Sequence, residues 1–205
     1  MSESNADVYV TDLKLVLLGE SSVGKSSIVT RYITGSFQKT NATIGAAFTT
    51  KTLEFPGADG ITKKVNLEIW DTAGQERYRS MAPMYFRNTD IALVVFDVTK
   101  PESLRKAQSW IDELNSYVER DRRDEILIKL VGNKMDLDHP EITTIGELPL
   151  YLVSAKTGEG INELIEDLVK QVPMSKYRKL ETSTENKNAV HLDLRGNARF
   201  GSTCC

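Results

Sequence analysis

The chain is short of cysteine, histidine and long apolar stretches, and each shortage removes a class of protein. Of 205 residues only Cys204 and Cys205 are cysteines, and they are the last two. That excludes a disulfide framework and a cysteine-based zinc site from the folded part. The longest wholly apolar run, I-A-L-V-V-F at residues 91–96, is far too short to span a bilayer. The first residues, M-S-E-S-N-A-D-V, carry neither a basic nor an apolar segment, so no secretory signal is expected. Charge of one sign is missing too: 26 basic residues face 29 acidic ones, a net charge of −3. Non-specific binding of nucleic acid is therefore not expected, and the expected compartment is cytosolic. The two histidines, His139 and His191, fall in a loop and in a polar tail, and neither is given a role.

What is present is an alternation of short apolar runs with helical patterns. Strand-like segments fall at residues 13–18, 48–55, 64–70, 90–98, 126–131 and 150–153, and helical patterns at 25–33, 101–120 and 161–172. Such alternation predicts an α/β domain, a parallel sheet with helices on both faces. The turn-forming P-G-A-D-G at residues 56–60 joins the second and third strands, which predicts an antiparallel hairpin at one sheet edge. Pro173 stops the last helix, and the composition turns to Ser, Thr, Asn and Lys. The expected boundaries are a flexible start at 1–10, a domain at 11–172 and a flexible tail at 173–205.

The segment G-E-S-S-V-G-K-S at residues 19–26 fits the phosphate-gripping pattern G-x-x-x-x-G-K-[ST] at every fixed position. It lies between a strand and a helix, where backbone N–H groups and the helix dipole favour an anion. Lys25 supplies a point charge, and the hydroxyl of Ser26 is a hard ligand suited to Mg²⁺. D-T-A-G-Q-E at residues 71–76 closes another strand. There Asp71 can reach Mg²⁺ or its water, Gly74 can bring a backbone N–H to a γ-phosphate, and Gln75 can orient an attacking water. N-K-M-D at 133–136 offers Asp136, whose carboxylate can accept from guanine N1–H and the N2 amine and is repelled by adenine. Asn133 can brace the loop, and the stem of Lys134 can lie along a base. In S-A-K at 154–156, the Ala155 N–H can contact guanine O6, and Thr43 is a candidate second Mg²⁺ ligand from a mobile loop.

Taken in this order and spacing, these motifs resemble the Ras-type small GTPases over nearly the whole chain. W-D-T-A-G-Q-E-R-Y, T-I-G-A-A-F and the C-C terminus are similar to the Rab (Ypt) branch. A-P-M-Y-F-R at 82–87 narrows the similarity to its early-endosomal, Rab-five type group, and further to a divergent fungal Ypt member. The resemblance implies the phosphate-loop NTPase fold with six strands, mostly parallel with one antiparallel edge strand. It implies GTP and GDP as substrate and product, with Mg²⁺ held by Ser26, Thr43 and, through water, Asp71. Lys25, Thr43 and Gln75 would act in hydrolysis. Nucleotide would contact Ser21, Ser22, Val23, Gly24, Lys25, Ser26, Ser27, Phe37, Thr43, Asp71, Gly74, Asn133, Lys134, Asp136, Ser154, Ala155 and Lys156. Residues 38–47 and 74–84 would be the two switch loops. Phe48, Trp70 and Tyr85, with Ile44 beside them, would meet effectors, at least two of the three aromatics being exposed. Implied partners are an exchange factor, a GTPase-activating protein, an inhibitor or escort protein and effectors. Cys204 and Cys205 would each carry a prenyl chain, and two chains suffice for stable anchoring. That places the protein on the cytoplasmic face of endosomal membranes, with a cytosolic inhibitor-bound pool.

Three features depart from the family. Only 17 residues, 137–153, separate N-K-M-D from S-A-K, and they include Pro140, Gly146 and Pro149. The usual helix there is expected to be shortened or missing. The stretch between Phe37 and Thr43 is one residue short, and Ser21 stands where the Ras branch has glycine, as is usual for Rabs. Two other readings stay open: an ATPase or nucleotide kinase, against which Asp136 argues, and a nucleotide-holding module with little turnover, against which Gln75 and Thr43 argue.

Overall fold

A computed structural model describes residues 7–56, 60–118, 125–142 and 144–180. In chain order it contains β1 (Asp7–Leu18), α1 (Lys25–Thr34), β2 (Ala46–Pro56), β3 (Ile61–Thr72), a 3₁₀ segment (Glu76–Met81) and α2 (Ala82–Phe86). There follow β4 (Ile91–Asp97), α3 (Pro101–Tyr117), β5 (Leu127–Asn133), β6 (Leu150–Val153), α4 (Ile161–Lys170), a 3₁₀ turn (Met174–Lys176) and β7 (Arg178–Lys179).

The main sheet runs in the order β2-β3-β1-β4-β5-β6. All neighbours along it are parallel except β2 and β3, whose antiparallel register sets Phe48 opposite Trp70. This is the six-stranded arrangement expected from the sequence. β4 explains its centre: every residue of I-A-L-V-V-F-D is buried, because helices cover both sheet faces. Side chains alternate along each strand, so the core divides in two. Leu13, Leu15, Leu17, Leu67, Ile69, Leu93 and Val95 meet α1 and α4 on one face. Val16, Leu18, Ala92, Val94 and Phe96 meet α2 and α3 on the other, packed with Ala107, Trp110, Ile111 and Leu114.

Three results amend the sequence expectations. First, order extends further at both ends of the domain. β1 already includes Asp7 and Val8, and beyond Pro173 the chain folds back so that β7 pairs antiparallel with Tyr9 and Val10. Ion pairs Lys176–Asp90 (2.5 Å), Arg178–Asp12 (3.2 Å) and Lys179–Asp7 (2.7 Å) accompany this pairing. The reason is that β4 pairs only with the last residues of β1, leaving the N-terminal half of that strand with an open side. Second, the segment after Gln75 is a 3₁₀ turn running into α2, where a loop was expected. Third, between β5 and β6 the described residues form turns and irregular chain without a helix, in line with the expected shortening or loss of a helix, and half-buried Ile142, Ile145 and Leu148 pad that face. The end of the helical pattern at 119–120, most of the hairpin turn (57–59) and the tail from 181 onward lie outside the described residues.

Leu164, fully buried in α4, tests the packing of the first half-core. Leu164→Ala is expected to lower unfolding free energy by about 2–5 kcal/mol, measured as a urea midpoint shift without a change in slope. An unshifted midpoint would contradict this assignment of the core.

Candidate nucleotide site and the aromatic surface beside it

The C-terminal ends of β1, β3, β4, β5 and β6 all point to one edge of the domain, and the loops leaving them carry the expected residues. Such a crevice is where open parallel sheets place ligands. The loop at 19–26 is approached closely by the side chain of Asn133 and by the backbone of Gly74. At Gly24, with φ of +100°, a Cβ would lie 2.2 Å from Asn133 Nδ2. At Gly74 a Cβ would lie 2.3 Å from the carbonyl of Glu20. No other residue fits either position.

Lys25 is buried beneath the loop, its ammonium donating to the carbonyls of Gly19 (2.7 Å) and Glu20 (2.8 Å). Burial pulls its pKa down to about 8, against the opposing pull of Asp71 and Glu20. Two of three ammonium protons are engaged in these bonds, and the third remains for another acceptor. The loop surrounds a polar cavity lined also by Ser21, Ser22, Ser26, Thr40, Thr43, Gly74 and Gln75.

At its floor Ser26, Thr43 and Asp71 converge. Ser26 Oγ donates to Asp71 Oδ2 at 2.5 Å, Thr43 Oγ1 donates to the same oxygen at 3.2 Å, and the two hydroxyl oxygens are 2.8 Å apart. Asp71 Oδ1 is buried and has no hydrogen-bond partner. Burial raises the carboxyl pKa, with Ser26, Lys25 and Thr43 opposing. An orphaned buried carboxylate oxygen beside two hydroxyls is a donor set that fits a small hard cation such as Mg²⁺. Three protein oxygens fall short of a full octahedral shell, which suits a cation that keeps water and shares phosphate ligands. Gln75 lines the cavity with its side-chain carbonyl accepting from Arg77 Nε at 2.6 Å.

A second cavity of about 520 Å³ adjoins the first, within the range of small-molecule sites. Phe37, Ser27, Asn133, Lys134, Asp136, Leu137, Ala155 and Lys156 contribute to its lining. Asp136 accepts from Ser154 Oγ (2.6 Å) and lies 3.3 Å from Lys156 Nζ. The Ser154 hydrogen bond holds its carboxyl below the usual range, with Lys156 adding to it against burial. It is thus an ionised acceptor at neutral pH. Asn133 donates to the Val23 carbonyl (2.9 Å) and accepts from the Ala155 N–H (3.0 Å).

Some expected contacts are placed differently. The Ala155 N–H already has Asn133 as acceptor, so it is not a free donor. Val23 is buried in the core and touches the site through its carbonyl. Ser154 is fully buried and acts as the support of Asp136. Ser27 meets Thr40 across the loop at 3.4 Å.

Sequence reading missed Asp97 at the end of β4. It receives Lys134 Nζ at 2.6 Å and Thr99 Oγ1 at 2.7 Å, while Lys134 also donates to the Ser22 carbonyl at 2.9 Å. The available signal was its position, an acidic residue at the C-terminal end of a central parallel strand.

Away from the cavities, Ile44, Phe48, Met81 and Met84 are exposed. The expectation that two of three aromatics are exposed is overturned: Phe48 is 55% exposed, Trp70 half-buried and Tyr85 only 5% exposed. Tyr85 is turned inward by α2, packed against Trp70 at 6.2 Å and under Gly45. Phe48 meets Trp70 edge-on at 5.2 Å. Cys204 and Cys205 lie outside the described residues.

A glycine-pinned phosphate loop between β1 and α1, in a mostly parallel sheet covered on both faces, defines a phosphate-loop nucleotide-binding fold. Residues 14–174 match the family model described as Ras family. The GTP-binding protein YPT53 of Saccharomyces cerevisiae is 42% identical over 203 residues, covering 91% of this chain and 88% of the relative. The GTP-binding protein ypt5 of Schizosaccharomyces pombe is 40% identical over 209 residues, covering 97% and 95%. The GTP-binding protein YPT52 of S. cerevisiae is 43% identical over 188 residues, covering 76% and 79%. The chain belongs to the Ras family, on its Rab/Ypt branch.

The Asp97–Lys134 pair yields a pH dependence. Burial pushes the Asp97 carboxyl up, but hydrogen bonds from Lys134 and Thr99 outweigh it and leave the pKa below its ordinary 3.8. The unfolded chain therefore binds more protons between the two values, and the pair's contribution is complete above about pH 5. It is lost as pH falls from there through the depressed folded pKa. Asp97→Asn is expected to be less stable at pH 7, with the gap to wild type narrowing as pH drops below 4 in denaturant titrations. A constant gap would contradict the assignment.

Proposed function

We propose that this protein is a guanine-nucleotide switch that binds GTP and GDP with Mg²⁺, hydrolyses GTP slowly and recruits effectors to endosomal membranes. The observation that carries it is the meeting of Ser26, Thr43 and Asp71 around an unpartnered carboxylate oxygen, under a phosphate loop and next to the Asp136 cavity. The relatives named GTP-binding proteins support the same reading.

In this reading the backbone N–H groups of the loop and the free proton of Lys25 hold phosphate oxygens. Ser26, Thr43 and, through water, Asp71 would hold Mg²⁺, which would supply neutralisation of phosphate charge. Asp136 accepts from guanine N1–H and the N2 amine, and Phe37 and the stem of Lys134 flank the base. Gln75 orients the attacking water through its side-chain amide. Its side-chain carbonyl already accepts from Arg77 Nε at 2.6 Å and keeps a second lone pair for that water. Thr43 sits on the loop following Phe37, so contact with the γ-phosphate side orders that loop, and hydrolysis releases it. Ile44 on this loop and Phe48 just after it are exposed, and in this reading they report its state to an effector. Among the described residues no arginine lines the phosphate cavity, so in this reading intrinsic hydrolysis is slow, and an activator acting in trans raises it by roughly 10³–10⁵. An exchange factor restores GTP. Prenyl chains on Cys204 and Cys205 hold the protein at the membrane, and an inhibitor or escort protein covers them in the cytosol.

Three measurements test this. Asp136→Asn should weaken GTP binding by roughly 10²–10⁴-fold and turn preference toward xanthosine triphosphate; unchanged GTP affinity would refute base recognition. Single-turnover hydrolysis should slow roughly ten- to hundredfold in Gln75→Leu. Equal rates, without an activator and with one, would favour a holding module. A tagged chain lacking Cys204 and Cys205 should be cytosolic, whereas the full chain is expected on endosomal membranes; identical distributions would refute the anchor.

A further inference from the structure

The turn after β6 carries Ser154 and Lys156, the two residues that face Asp136, so its position sets the geometry of that carboxylate. Inside, the turn is well bonded. The Gly158 N–H donates to the Ser154 carbonyl (2.8 Å), the Thr157 N–H to Ser154 Oγ (3.1 Å) and the Ser154 N–H to the Glu159 carbonyl (3.0 Å). These bonds leave the carbonyls of Ala155 and Lys156 facing outward, and one side chain from another element takes both. Arg31, in the last turn of α1, donates Nε to the Ala155 carbonyl at 2.9 Å and Nη2 to the Lys156 carbonyl. Its Nη1 donates to the Gly35 carbonyl at 2.7 Å, while the Gly35 N–H returns to the Arg31 carbonyl at 2.9 Å. The stem lies along Gly158, where a Cβ would stand 3.5 Å from Arg31 Cδ.

One planar guanidinium thus spans three carbonyls on two separate segments. Gly35 lies two residues before Phe37, which lines the same cavity as Asp136. We propose that Arg31 is a positioning residue for base recognition, fixing the Ser154–Lys156 turn against the start of the loop that carries Phe37. This rests on the reading of the Asp136 cavity as the guanine site. The role needs arginine, because N–H bonds leave three separate nitrogens of its fork in fixed in-plane directions, whereas the three donors of lysine share one nitrogen that cannot reach all three carbonyls. With the clamp gone, Ser154 and Lys156 drift from Asp136, and the carboxylate loses its alignment on both guanine donors. Inosine nucleotides present N1–H but no N2 amine, so they depend on that alignment through one bond fewer.

The test follows release of fluorescent ribose-labelled GDP and IDP from the full chain. In Arg31→Ala, GDP release should quicken by about tenfold and IDP release by less, narrowing the preference for GDP. Arg31→Lys should fall between Arg31→Ala and wild type. GDP release within about twofold of wild type in Arg31→Ala would overturn the proposal. So would equal acceleration of both nucleotides, since that marks a general structural support. If Arg31→Ala does not fold, Arg31→Lys decides: wild-type release from it overturns the need for the fork, and faster GDP than IDP gain supports it. Wild-type protein that prefers neither GDP nor IDP over ADP would overturn the guanine-site reading and this proposal with it. A wild-type guanine preference untouched by the Arg31 variants would overturn the Arg31 role alone.

Discussion

The side chain of Asn133 joins three loops that leave three different strands. Its amide donates to the phosphate loop at Val23 and accepts from the turn after β6 at Ala155, from a position almost without solvent. Gly24 has no room for a side chain because that amide stands against it. A buried amide bonded on both sides is costly to disturb, since any shift strands a polar group without water. The phosphate loop and the turn beside the cavity holding Asp136 are therefore tied together through one side chain.

Around this fixed centre the holding forces grade outward. β1, β3, β4 and β5 are packed on both faces and carry the loops from below. Asp97 and Lys134 brace the phosphate loop from β4, and Arg31 braces the turn after β6 from α1. Thr43, by contrast, is attached through its hydroxyl to Ser26 and Asp71, and Gln75 through bonds from Arg77 Nε to its side chain and from the Tyr78 N–H to its backbone carbonyl. Segments held that lightly can exchange partners when a phosphate arrives or leaves, which is what a switch needs.

The surface next to the switch follows a similar economy. Tyr85 and Trp70 pack under β2 and the loop before it, so a shift of that loop alters what Phe48 and Ile44 present outward. On the opposite end of the sheet the shortened link between β5 and β6 is filled by Ile142, Ile145 and Leu148. Burial of apolar area at that edge is thus kept up without a helix, and the loss stays local because β6 still pairs with β5 through four residues.

Much of this was legible in the linear chain. The phosphate loop, Asp71, Gln75, Asn133 and Asp136 could be read because their spacing along strand ends is local, and the buried run of β4 announced the sheet centre. The expectation that the usual helix within 137–153 is shortened or missing followed from too few residues and from Pro140, Gly146 and Pro149, and the described residues there form none. What the chain alone could not show depends on contacts between residues far apart in sequence. Whether Tyr85 lies in or out turns on how α2 packs, and the pairing of β7 with β1 turns on a side of β1 that β4 leaves open. Asp97 and Arg31 sit in stretches whose local pattern reads as ordinary strand and helix, and their partners are 37 and 124 residues away. Sequence by itself determined the six strands of the main sheet, the helices α1, α3 and α4 and the motifs of the loops, because those rest on short-range pattern. Tertiary structure alone decided which side chains hold the loops together, because a hydrogen bond or a buried face exists only once distant strands are side by side.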